Sequence, residues 1–196
     1  MLYNGEMTVK NVLVYLIGFA GVGKFTTAQK LAGLLGARIV DNHWINNPIF
    51  GLIDSDRITP LPPSVWEQVG KVRHAVLETI ALLSPPQANF ILTNSLADDD
   101  PEDRQIYDAV LATAERREAL FVPVRLLCDE EQLTKRVVSP ERAGRLKRMD
   151  PIEAAREVRT LTTLLTHHVN ELTLDTSAIT PEVSARLIYD HVNAIA

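Results

Sequence analysis

The sequence predicts an α/β chain with a five-stranded parallel sheet covered by helices on both faces, and three observations carry that expectation. Short apolar runs alternate with stretches of helical period. The first run, residues 9–17, contains Val12, Leu13, Val14, Leu16 and Ile17, and such near-continuous apolarity is that of a central strand buried on both faces. A glycine-rich turn, Gly18-Phe19-Ala20-Gly21-Val22-Gly23, then joins this run to a helical pattern. Strand, glycine turn and helix in that order make a parallel arrangement with right-handed crossovers.

The remaining elements follow from periodicity and punctuation. Ala28, Leu31, Ala32 and Leu35 recur at helical spacing, and Gly36 is placed to stop that helix. Residues 38–41 read as a short second strand ending in the carboxylate of Asp41. Val69, Val72, Val76, Ile80 and Leu83 form one stripe of a long helix that Pro85 and Pro86 terminate. Pro48, Pro60, Pro62 and Pro63 make the intervening stretch, 42–64, irregular. Residues 90–93 are a third strand, and Asp100-Pro101 is an N-cap followed by proline, starting a helix to about Arg117. A fourth strand spans 120–127 and a short helix 130–138. Asp150-Pro151 opens a helix with Val158, Leu161 and Leu165 on one side, 172–174 is a fifth strand, and Thr180-Pro181 begins a final helix carrying Val183, Leu187, Val192 and Ile195.

A chain of 196 residues with 46% hydrophobic composition can bury a full core, and its length suits a single domain over 1–196. The formal net charge of -5 argues against a nucleic-acid partner, which calls for a basic surface. Cys128 is the only cysteine, so a disulfide framework is excluded and a reducing, cytoplasmic setting is expected. Residues 1–8 lack the pattern of a signal peptide, and no apolar stretch has the length of a membrane span.

The glycine turn continues as Gly23-Lys24-Phe25-Thr26-Thr27. Glycines let backbone N–H groups converge on phosphate oxygens, Lys24 adds a point charge, and the following helix aims its positive end at them. This is a phosphate-binding loop (Walker A pattern) suited to a nucleoside triphosphate. The position after the lysine, where a Ser or Thr hydroxyl ordinarily ligates Mg²⁺, holds Phe25, and the hydroxyls come one and two residues later. Ligands of parallel sheets bind beyond the carboxyl ends of the strands, which brings the loop, Asp41, Asn94, Asp129 and Asp175 to one rim.

Gly-Lys-x-Thr resembles the loop of adenylate kinases, and the whole order of elements looks like the shikimate kinase, gluconate kinase and adenylate kinase group of P-loop kinases. The matching stretches are 18–26, Val40-Asp41-Asn42-His43, the basic segment 136–148, and Leu174-Asp175-Thr176-Ser177. In shikimate kinases the second strand ends in Asp-x-Asp; here only the first acid is kept, which argues against shikimate itself. The resemblance implies a three-layer P-loop NTPase fold, ATP as donor with Mg²⁺, a small basic lid at about 139–150 and an acceptor-binding segment at about 42–84.

It also implies roles. Lys24, Asp41 and Arg136 are the expected catalytic residues. Gly18, Ala20, Gly21, Val22, Gly23, Lys24, Phe25 and Thr26 would surround the triphosphate, with Arg136, Arg142 and Thr176 at the nucleotide. Asp41, His43, Arg73 and Arg145 would meet the acceptor, and Thr26 with Asp41 would face Mg²⁺. Plainer readings stand beside these: Asp41 as a cap of the next turn, His43 as a turn residue, and Arg73 as a solvated helix residue. Asp98, Asp99 and Asp100 read as a solvated loop and helix start, and His167-His168 as adjacent helical positions pointing apart.

The expected function is ATP-dependent, Mg²⁺-assisted transfer of phosphate to a small-molecule hydroxyl. Two other readings remain: a nucleotide-binding switch or ATPase with little transfer, suggested by Phe25 and by the lack of an acid in residues 90–94, and a nucleoside or nucleotide kinase.

Overall fold

The computed structural model of the protein describes residues 9–53, 61–138 and 150–196. The elements in chain order are β1 (Val12–Ile17), α1 (Lys24–Leu35), β2 (Arg38–Asp41), α2 (Asn42–Phe50), α3 (Pro63–Leu82), β3 (Phe90–Asn94), α4 (Pro101–Arg116), β4 (Leu120–Leu127), α5 (Glu130–Val137), α6 (Pro151–Thr160), β5 (Leu172–Asp175) and α7 (Pro181–Ile195). The five strands form one sheet in the order β2-β3-β1-β4-β5, and every pairing is parallel.

All six residues of β1 are buried. Alternation along the strand sends them to two cores. Val12, Val14 and Leu16 meet Leu31 and Leu35 of α1, Leu133 of α5 and Ile188 of α7. Leu13, Tyr15 and Ile17 meet Leu77 and Ile80 of α3 and Tyr107 and Val110 of α4. The result is the three-layer arrangement expected, with the apolar run of β1 explained by burial on both sides.

Several boundaries follow their capping chemistry. Gly36 closes α1 with its N–H bonded to the Ala32 carbonyl. Asp100, Asp129 and Asp150 accept from backbone amides at the starts of α4, α5 and α6, and Thr180 does so at α7. Others depart from the sequence reading. β1 begins at Val12 rather than at 9, because Asn11 has a φ of 55° and its side-chain amide donates to the carbonyls of Arg117 and Glu118. The stretch after Asp41, expected to be irregular, begins with helix α2, which contains Pro48.

α6 stops at Thr160, short of Leu161 and Leu165. The chain beyond it runs extended, with Thr163 bridged antiparallel to Ala97, so Leu164 enters the core from a loop. His167 has a φ of 52°, and the His167-His168 pair lies in this loop rather than on a helix. Among the described residues no helix is long and apolar enough to cross a membrane.

Because Leu16 is fully buried between helices and sheet, Leu16→Ala should lower unfolding free energy by about 2–5 kcal/mol in a denaturant titration. A loss below about 1 kcal/mol would contradict the packing described.

Candidate active site

The register of the sheet assembles the site. Ile17 at the end of β1 pairs with Asn94 of β3 and Arg125 of β4, and Asp41 of β2 pairs with Thr93. The carboxyl ends of these strands therefore share a rim, and a single cleft of about 1510 Å³ opens along it. Loop residues 20–26, Asp41, Arg73 and Arg136 line this cleft.

The loop is held from below and from the side. The Gly18 amide donates to the Asn94 carbonyl, and a Cβ on Gly18 would stand 2.4 Å from the Leu126 carbonyl oxygen, so only glycine fits against β4 there. Gly21 has a φ of 95°, and a Cβ on it would meet Leu133 and Val137 of α5 at about 3.0 Å. Val22 is buried in the core and, with Ala20, Gly21, Gly23, Lys24, Phe25 and Thr26, borders the cleft, whereas Gly18 lies behind it. Gly23 is the N-cap of α1 and Lys24 its first residue, which puts the positive end of the helix dipole under the loop. The Lys24 ammonium donates to the carbonyls of Gly18 and Phe19, the latter at 2.9 Å, and so closes the loop into a ring.

Thr26 is exposed, and its hydroxyl donates to the Gly23 carbonyl at 2.9 Å. Thr27, the next hydroxyl, is buried. Among the described residues no group of three or more His, Cys, Asp or Glu could hold a metal. The donors present still suit Mg²⁺ of the kind held mainly by phosphate oxygens and water: a hydroxyl at the start of α1 and a carboxylate at the end of β2, both on the cleft.

Asp41 is 4% exposed. Its Oδ1 accepts the Thr93 hydroxyl at 2.8 Å and the His43 amide at 3.5 Å. Thr93 in turn accepts the Asn42 amide at 3.2 Å. The capping reading of Asp41 is thus realised, since it starts α2, and the same cap orients a carboxylate at the cleft wall. His43 lines the cleft beside it.

Beside the loop, Thr176 is buried and its hydroxyl lies 2.9 Å from the carbonyls of both Val22 and Leu127. Arg136 donates to the carbonyls of Thr176 and Ser177 at 2.9 and 3.3 Å. Thr176 therefore braces the loop against β4 and β5, and Arg136 fixes the turn after β5 at the edge of the cleft. Arg142, Arg145 and the proposed lid at 139–150 fall outside the described residues, apart from Asp150 at the start of α6.

At the other end, α3 and the start of α4 face one another. Arg73 of α3 lines the cleft, its Nε is buried, and among the described residues it has no hydrogen-bond or ion-pair partner. Burial holds its pKa below the usual value, offset in part by Tyr15 and Asp103. Beneath it a cavity of about 10 Å³, near the size of one water, touches Tyr15, Asn42, Thr93 and Asn94.

Asp103 is the residue that sequence reasoning missed. It resembles any acid in a first helical turn, and nothing local to it signals the cleft. Its Oδ2 accepts the Ala97 amide at 2.7 Å, and it lines the cleft with Arg73. Burial pushes its carboxyl up to about 6, with Asp100 and Glu102 adding to the rise while the Ala97 amide and Arg73 oppose it.

The sign of that shift is testable. The folded state binds the Asp103 proton more tightly than the unfolded chain does, so the ionised form is a cost above about 6 that disappears as pH falls through the ordinary value of 3.8. Asp103→Asn, which can keep the Ala97 bond, should melt higher than the parent at pH 7.5, and the difference should close by about pH 4. A variant no more stable at pH 7.5 would show that Asp103 carries no such cost.

No protein-family model matches the chain, and no curated protein matches it. Solved structures do. A gluconokinase from Sinorhizobium meliloti is 15% identical with a TM-score of 0.62, over 95% of this chain and 94% of that one. A thymidylate kinase from Candida albicans is 14% identical with a TM-score of 0.61, over 95% and 92%. A shikimate kinase from Acinetobacter baumannii, solved with shikimate, is 18% identical with a TM-score of 0.51, over 94% of each chain. Across nearly its whole length, then, the chain has the three-layer fold of the P-loop kinases.

Proposed function

We propose that the protein is an ATP-dependent phosphotransferase acting on a small-molecule hydroxyl. The observation that carries this reading is the placement of the buried Asp41 carboxylate in the same cleft as Lys24 and the glycine loop. A triphosphate seated on the loop would have its terminal phosphate between the Lys24 ammonium and the end of β2. An acceptor entering between α2, α3 and α4 would meet Asp41 first.

Phosphoryl transfer asks the protein chiefly to position reactants and to neutralise charge. In this scheme the acceptor oxygen forms a bond to the γ-phosphorus, the β,γ-bridging P–O bond breaks, and its electron pair leaves on ADP. Asp41 orients the acceptor hydroxyl and takes its proton. Thr93, by donating to Asp41 Oδ1, fixes the direction of that carboxylate. Loop amides and Lys24 take up the charge on the phosphates, and Arg136 shapes the turn that borders the nucleotide. Thr26 and Asp41 are the residues that would hold Mg²⁺, which would neutralise charge on the triphosphate. The structural neighbours named gluconokinase and shikimate kinase support a small-molecule acceptor.

Two substitutions test the assignment. Lys24→Ala should abolish transfer and weaken ATP binding in calorimetry while the melting temperature holds; unchanged binding and turnover would refute the nucleotide site. Asp41→Asn should still bind ATP, with kcat reduced by at least about 10²-fold. Near-normal kcat would reduce Asp41 to the cap of α2.

A further inference from the structure

The acceptor end of the cleft has an unusual balance of charge and hydrogen-bonding capacity. Of the two basic residues of α3 nearest to it in sequence, Lys71 is exposed, donates to Gln68 and does not line the cleft. Arg73 does line it, but Asp103 stands in the same part of the cleft and Glu67, Asp100 and Glu102 also line it. Among the described residues of this wall, the Asp and Glu side chains outnumber Arg73.

The uncharged groups lean the same way. Asn46 of α2 lines the cleft, is 5% exposed, and its Oδ1 has no hydrogen-bond partner among the described residues. Asp103 uses Oδ2 for the Ala97 amide, and Oδ1 has no partner among the described residues. Burying an acceptor atom without a donor costs free energy, and Arg73 offsets only part of the burial of the Asp103 carboxylate. A carboxylic or phosphorylated acceptor brings only further acceptors and negative charge. A protonated amine brings three donors and a positive charge, while hydroxyls beside it can accept from Arg73.

Resting on the kinase reading above, the geometry points to an acceptor that is an amino-substituted polyhydroxy compound, its ammonium held at Asp103 and its hydroxyls between Asn46 and Arg73. Asp103 is then a specificity-determining residue, and the carboxylates of Glu67, Asp100 and Glu102 draw the cation to the cleft mouth. The same wall disfavours sugar acids and nucleoside monophosphates.

The test measures ATP binding by calorimetry and acceptor-dependent ADP release over four probe sets: amino sugars and aminocyclitols, their N-acetyl derivatives, neutral sugars, and aldonic acids. The expected result is release with free amines, a KM at least about 10-fold higher or no release with the N-acetyl forms, and none with the acids. Asp103→Asn should raise KM for the amine by about 10-fold or more and leave ATP affinity unchanged. Release driven by acids, equal release by amines and their N-acetyl forms, or release by no probe while ATP still binds would each overturn the amine assignment and leave nucleotide binding standing. Failure to bind ATP would instead refute the kinase reading on which it rests.

Discussion

Everything in the cleft depends on the parallel register of β1 with its neighbours. β1 is buried on both faces and lies between β3 and β4, so its carboxyl end cannot shift without moving two core layers. That register fixes Gly18 against Leu126 and hands its amide to Asn94. The loop is then tied on its far side by Thr176 and packed from above by Leu133 and Val137. A flexible, glycine-rich segment is in this way held by three independent contacts before any ligand arrives, which is the preorganisation that charge stabilisation requires.

The same economy governs the opposite wall. Asp41 ends a strand, caps a helix and faces the cleft, and the Thr93 hydroxyl from the adjacent strand sets its direction. Capping α2 and facing the cleft are compatible for this residue. A carboxylate that must point one way is best placed where backbone amides and a neighbouring hydroxyl already hold it. Arg136 follows a similar logic, since its bonds to the carbonyls after β5 join α5 to the turn at the edge of the cleft.

Much of this was legible in the sequence because the signals are local. The apolar run of β1, the Gly-Lys-x-Thr loop, the Asp-Pro and Thr-Pro helix starts and the strand-end Asp41 each announce themselves within a few residues. What was not legible depends on partners distant in the chain. Helix α2 forms despite Pro48 because Asp41 caps it and α3 packs beside it. α6 ends before Leu161 because the following residues pair with Ala97 and send Leu164 into the core. Asp103 looks like an ordinary acid of a helix start, and its burial and its bond to Ala97 arise only once the loop after β3 is in place. The position of Arg73 on the helix after β2 could be read from the sequence, but not its lack of a partner among the described residues or the carboxylates that share its wall of the cleft.

The claim that joins these observations is that one cleft holds a triphosphate on the loop and presents its terminal phosphate to Asp41. The most direct measurement is a crystal structure with a non-hydrolysable ATP analogue and Mg²⁺. The account predicts β- and γ-phosphates on the loop amides and Lys24, with the γ-phosphate directed toward Asp41 and open to the space before Arg73 and Asp103. A nucleotide bound elsewhere, or a γ-phosphate directed away from β2, would contradict it.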